Sequence, residues 1–247
     1  MIADVLTVMW KEWRSITRGS SRRQVVISWL MLGMWGVLFP LQMGREWVSD
    51  PVPMGLLGFT LPVVIVGTVA PDLIAGERER HTLSTLLASP LPDRAVLFGK
   101  LGFALAVGWL SVPGVLAISL VVVNLAALDA APLFYDPVAL VCVLALALLT
   151  GLLTGAVGTF VSLRSATSQD AQQMTVLALM FPMLFIGMTL TAVAAANPNL
   201  RGAIGDVIES VGLQTIVLAT MAILVIVDAM LIWFADRRFR RGRLFDV

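Results

Sequence analysis

Six apolar runs, at about 25–43, 54–75, 95–125, 137–163, 174–196 and 213–235, decide what this chain can fold into. A helix needs about 20 predominantly apolar residues to cross a hydrocarbon core of about 30 Å. Each run approaches or exceeds that length and is closed by charges, Pro or Gly. Their apolarity is continuous, whereas the strands of a membrane barrel alternate apolar and polar positions over about ten residues. Backbone amides in lipid must be satisfied within the segment itself, so the runs are expected to be transmembrane helices. Those at 95–125 and 137–163 exceed one crossing, which predicts tilt or extension beyond the bilayer, with Pro113 placed to bend the first.

Only 13% of the 247 residues are charged and 58% are apolar, against roughly 25% charged in an ordinary soluble domain. The net charge of +1 says less than where the charges fall. Lys11, Arg14, Arg18, Arg22, Arg23, Arg78, Arg80, Arg94, Lys100, Arg164, Arg237, Arg238, Arg240, Arg241 and Arg243 collect on one side, 15 of the 17 Lys and Arg, leaving Arg45 and Arg201 on the other. The positive-inside rule then puts both ends in the cytosol and favours an even number of spans. Charges run right up to the first span, which reads as its own insertion signal and not as a cleavable leader. The single Cys, Cys142, falls in an apolar run and reads as a small buried hydrophobe.

Two of the segments outside the runs, both on the side rich in Lys and Arg, have helical patterning. At about 100° per residue, Ile2, Val5, Leu6, Met9, Trp13 and Ile16 form one stripe opposite Asp4, Lys11, Arg14 and Arg18. Such a helix suits the surface of the cytosolic leaflet, with Trp10 and Trp13 in the headgroup layer and cations toward anionic lipid; a simple polybasic anchor is the plainer reading. Between the second and third runs, Glu77, Arg78, Glu79 and Arg80 precede two helical turns with Leu83, Leu86 and Leu87 on one face and His81, Ser84 and Thr85 on the other. Pro90 and Pro92 stop that helix and Asp93 is placed to cap the next span. On physics alone this is equally a solvated loop or a short helix that receives force from a soluble partner.

The pattern Glu77-Arg78-Glu79-Arg80, Thr82-Leu83, Thr85-Leu86-Leu87, Ser89-Pro90-Leu91 and Gly99-Lys100 resembles the signature of the type-two ATP-binding-cassette exporter permeases. The amphipathic start with Lys11-Glu12-Trp13-Arg14, the six runs and the polar break before the last of them fit the same layout. His81 departs from it, standing where the family usually has Gly. The resemblance implies an all-α integral membrane protein, multi-pass in a prokaryotic cell (inner) membrane. Its parts would be an elbow helix over 1–23, spans 1 and 2 over 24–76, a cytosolic coupling segment over 77–93 with its helix docking on an ATPase, and spans 3 and 4 over 94–163. A loop and span 5 over 164–196, an extracellular re-entrant segment over 197–211, and span 6 with a basic tail over 212–247 complete it. For 197–211, Asn197-Pro198-Asn199 followed by Ile204, Val207, Ile208 and Val211 predicts one or two short helices, a plain loop being the alternative.

No phosphate-binding loop is present, since Leu101 follows Gly99-Lys100 where Ser or Thr is required. ATP and Mg are therefore expected only in a partner, a cytosolic ATPase subunit, and the resemblance implies a second membrane subunit, in a homodimer or heterodimer. The sole His, His81, excludes a His metal cluster or a Ser-His-Asp set, so no enzyme, cofactor or nucleic-acid partner is expected. No His or Lys is placed inside a span. Asp72, near the cytosolic end of span 2, and Asp228, in span 6, are either groups on a translocation path or structural carboxylates. The coupling residues are Glu77, Arg78, Glu79, Arg80, Leu83, Leu86 and Leu87. Spans lined by Leu, Val, Met, Phe, Ser and Thr fit a hydrophobic or amphipathic cargo. A secondary transporter and a non-transporting scaffold are the alternatives; the first lacks intramembrane charges for ion coupling.

Cysteine labelling tests the topology. In a Cys142→Ala background, Asp4→Cys and Lys11→Cys are expected to resist an impermeant maleimide in intact cells and to react after permeabilisation; reaction only from outside would overturn it.

Overall fold

The side chains just ahead of the long helices explain where those helices begin. The Asp50 carboxylate accepts from the amide of Val52, the Asp136 carboxylate from Ala139 and the Thr167 hydroxyl from Asp170. In the first two cases Pro occupies the first helical turn, where an amide would have no partner anyway. The computed structural model describes residues 1–19, 30, 32–79, 92–128, 131–197, 202, 210 and 213–238. Among these, every regular element is helical.

In chain order the helices are α1 (Ile2–Gly19), α2 (Met34–Met43), α3 (Glu46–Ser49), α4 (Pro51–Pro71), α5 (Asp93–Ala126), α6 (Pro137–Ser162), α7 (Ser168–Ala196) and α8 (Leu213–Arg238). The first half of α2, Met34–Leu38, is a π turn, and α4 continues through a second one, Asp72–Gly76, into the short helix Glu77–Glu79. Among the described residues four helices are long and apolar enough to cross a membrane: Pro51–Pro71, Ala95–Ala126, Pro137–Ser162 and Ser168–Val193; Met34–Met43 and Val217–Leu231 are shorter apolar helices. The start of the first apolar run, the coupling helix beyond Glu79 and nearly all of 197–211 lie outside the described residues. Pro92, not Asp93, precedes α5, and it offers no side-chain cap. Pro113 sits within α5 without ending it.

α4 is the hub, packing on α5, α6 and α7. In lipid no hydrophobic drive pulls helices together, so close approach of backbones and van der Waals packing must do so, which favours small residues at contacts. At Gly58 an added Cβ would stand 2.9 Å from the Val143 side chain and 3.1 Å from its carbonyl oxygen, and the Gly58 carbonyl accepts from the Thr150 hydroxyl at 3.2 Å. Gly151, Gly155 and Gly158 serve the same purpose within the chain, an added Cβ lying 2.8 Å from Leu105, 3.3 Å from Leu101 and 3.1 Å from Pro71 respectively. Around these points Leu57, Leu61, Val63 and Val66 are buried.

The end of the bundle holding α2, α3 and the start of α6 is closed by aromatic packing and side-chain hydrogen bonds. Trp47 is buried against Trp35, which also meets Phe39 at 4.9 Å between ring centres. Asn124 clasps the backbone of Leu133 through both its amide groups, at 2.8 and 3.0 Å, and the Tyr135 hydroxyl lies 2.8 Å from that of Ser119. Gly44, at φ 60°, takes the left-handed turn that ends α2, a conformation that side chains disfavour. α7 is different: Leu177, Phe181, Leu184, Phe185, Ile186 and Met188 are all exposed, as lipid contact permits.

Two glycines on α4 provide a matched test. Gly58→Leu should force α4 from α6 and cost about 1–3 kcal/mol, read as a lower melting temperature in lipid nanodiscs. Gly55→Ala, with nothing within 4 Å of its added Cβ, should be neutral or slightly stabilising.

Candidate transmission site

α1 meets the bundle through one close approach. A Cβ on Gly99 would lie 2.6 Å from the Cβ of Val8, so only glycine lets α1 lie this near α5. Val8 is buried there, with Val5 and Met9 half-buried beside it. One turn further along α1, Glu12 is carried into the interior, 4% exposed, beside Lys100, which is 3% exposed. The amphipathic stripe is thus divided. Val5, Val8, Met9 and Glu12 face the protein, while Ile2, Leu6, Trp10 and Trp13 remain exposed, with the Arg14 guanidinium 5.4 Å above the Trp10 ring.

Lys100 is the centre of a four-charge cluster. Its ammonium lies 3.2 Å from the Glu12 carboxylate on α1 and 3.0 Å from the Glu77 carboxylate just past the second π turn, and it donates to the carbonyl of Leu73 within that turn at 2.6 Å. Lys11, half-exposed on α1, adds a second cation, 2.8 Å from the same Glu77 oxygen and 3.3 Å from Glu12. Two positive and two negative charges therefore close on one another across three elements. Burial alone would raise the Glu77 pKa, but the charge of Lys100 and hydrogen bonds from Lys11 and Lys100 hold its carboxyl below the usual range. For Lys11 burial pulls the other way, yet Glu77 and Glu12 together raise the ammonium above its ordinary value.

One residue of the same short helix touches the other side of the hub. The Glu79 carboxylate accepts from the backbone amide of Ser168 at 3.2 Å, at the first turn of α7, whose unpaired amides favour an anion. Glu77–Glu79 is thereby attached to α1, α5 and α7 together. Removing one member of a buried pair leaves an uncompensated charge and typically costs about 3–5 kcal/mol. Neither α1 nor Glu77–Glu79 can part from α5 at this point without that cost.

The remaining candidates are dispersed. Glu77 belongs to the internal cluster and Glu79 is exposed; Arg78 lies between them on the backbone. Arg80, Leu83, Leu86 and Leu87 lie outside the described residues. Asp72 is half-buried at the first residue of the π turn, and Asp228 is buried on α8. Lys100 corrects the expectation of no Lys inside a span, because it falls within Ala95–Ala126. Its signal in the sequence was its place as the one basic residue of the 95–125 run. Glu12 gave no such signal, since a carboxylate among Lys11, Trp13 and Arg14 reads as solvated.

A bundle of apolar helices long enough to cross a membrane, with an amphipathic helix held by ion pairs to Glu77 and to α5, defines a helical membrane protein. The sequence matches the model of the ABC-2 type transporter family over residues 3–193, and the chain belongs to that family. It is a permease domain of a transporter. No curated protein matches the sequence.

Lys100→Met should leave Glu12 and Glu77 facing each other with only the half-exposed Lys11 between them, lowering stability by about 3–5 kcal/mol. Pairing it with Glu12→Gln should recover part of this loss in a double-mutant cycle of melting temperatures. The pH dependence has a definite sign. Glu77, with its folded pKa depressed, contributes stability above the ordinary carboxylate value of about 4.3 and loses it as pH falls through the lower folded value. Lys11, with its folded pKa raised, contributes below about 10.4 and loses its part as pH climbs past that. The cluster's contribution should therefore be flat from about pH 5 to 9 and fall on either side.

Proposed function

We propose that this chain is the membrane-spanning subunit of an ATP-driven exporter of a hydrophobic or amphipathic small molecule, powered by separate cytosolic ATPase subunits that carry the ATP and Mg. The observation that carries this is the junction at Lys100, which fixes the start of the segment 77–90 to both α1 and α5. An ATPase can move membrane helices only through a stiff connection, and Glu77–Glu79 is the point at which such a connection would enter the bundle. On this reading Leu83, Leu86 and Leu87 form the apolar face that docks on the ATPase, with Arg78 and Arg80 at the rim.

The family membership supports association with ATPase subunits and pairing of two membrane subunits. The distribution of Lys and Arg supports six spans with both ends in the cytosol of a prokaryotic cell, α2 and α8 belonging to the first and last. Ile2, Leu6, Trp10 and Trp13, exposed on α1, suit the headgroup layer of the cytosolic leaflet. The exposed apolar length of α7 supports burial in lipid or against the second subunit. The segment 197–211 is read as a short outer re-entrant element.

Leu86→Asp combined with Leu87→Asp should abolish co-purification with the ATPase, or uncouple hydrolysis from transport, while membrane insertion survives. A double variant that still purified with the ATPase and transported fully would remove the coupling role from 77–90 and move the secondary-transporter reading ahead.

A further inference from the structure

α8 lies along the rest of the chain on one narrow seam. Val217, Met221, Leu224, Val227 and Leu231 are half-buried and Asp228 is buried, while Leu218, Ile223, Val225, Ile226 and Met230 between them are exposed. The positions 217, 221, 224, 228 and 231 alternate steps of four and three, the pattern of a helix laid against a single partner. Here that partner is α6. Asp228 thus occupies a seam position suited to an apolar side chain, and it is the most enclosed residue of the seam.

Nothing in the facing helix answers its charge. Asp228 is 3% exposed and neither carboxylate oxygen has a hydrogen-bond partner among the described residues. Between Pro137 and Ser162, α6 carries no basic or acidic residue, Cys142 being its one titratable side chain. On α8 itself the other charged residues, Asp236, Arg237 and Arg238, stand two turns or more further on. Asp228 is about 15 Å from that end of the helix, within its apolar part, and beyond the residues that the family match covers. A carboxylate without donors in an apolar setting is costly. The seam therefore carries an uncompensated carboxylate at its most enclosed point.

We propose that Asp228 is the recognition group for a cationic cargo: an ammonium on an apolar chain, bound when α8 draws away from α6. The exposed apolar residues on either side of the seam receive the chain, and the carboxylate receives the charge. This assignment rests on the transport reading above and narrows its cargo from any amphipathic molecule to a positively charged one.

The test compares decyltrimethylammonium, a permanent cation, with decanol, which has the same chain without charge. Their half-maximal concentrations for stimulating hydrolysis are measured on the chain assembled with its ATPase in nanodiscs. The wild-type should prefer the cation. Asp228→Asn should lower that preference about tenfold or more, the equivalent of one charged contact, whereas Asp228→Glu should keep most of it. An unchanged preference in Asp228→Asn overturns the assignment, as does equal loss of response to both compounds with a lowered melting temperature, which would make Asp228 structural. If the chain fails to co-purify with any ATPase, the transport reading fails; if it co-purifies but the wild-type ignores the cation, the cargo assignment alone fails.

Discussion

The ammonium of Lys100, enclosed between carboxylates from two different helices, is the interaction on which the remaining architecture depends. It lies inside a membrane-type helix, where a single charge is hard to tolerate, and it is tolerated because Glu12 and Glu77 both reach it and the carbonyl of Leu73 takes a further hydrogen bond. Each partner comes from a different element. Glu12 brings α1, which has only one face on the protein, and Glu77 brings the short helix that follows the second π turn. A buried ion pair is weak support for net stability, but it specifies which helices meet and in which register.

Packing in the rest of the bundle follows from the absence of water. α4 has little amphipathic character and is buried on several sides, so its sequence is apolar all round and its neighbours approach at glycines and threonines. The hydroxyl of Thr150 donates to the Gly58 carbonyl where the two backbones come closest, which combines small size with a polar contact. The same physics leaves α7 and α8 with broad exposed apolar faces, since lipid is as suitable a neighbour there as another helix.

Much of this was legible in the sequence, for reasons that particular residues make plain. The long helices were visible because the hydrocarbon layer demands continuous apolarity, and α6 could be bounded closely because Asp136-Pro137 starts it and Arg164 follows it. α7 begins six residues before the apolar run at 174, because Thr167 caps a polar first turn that hydropathy does not register. The surface-type helix α1 was readable, but its inner face was not. Val8 and Glu12 fell outside the apolar stripe, and only the glycine at 99, far away in the chain, explains why they are the residues that turn inward. The role of Glu77 was obscured in the same way. An alternating run of charges reads as solvent-exposed, and nothing local reveals that a lysine 23 positions later will enclose its first member.

The π turn at Asp72–Gly76 holds one more residue than an α-helical turn would need, directly between α4 and the short helix Glu77–Glu79. Were the turn to tighten into a regular α-helix, everything beyond it would rotate by about 100° and advance by about 1.5 Å relative to α4. The Leu73 carbonyl held by Lys100 lies within that turn, so the ammonium that joins the helices also contacts the place where the helix register is widened.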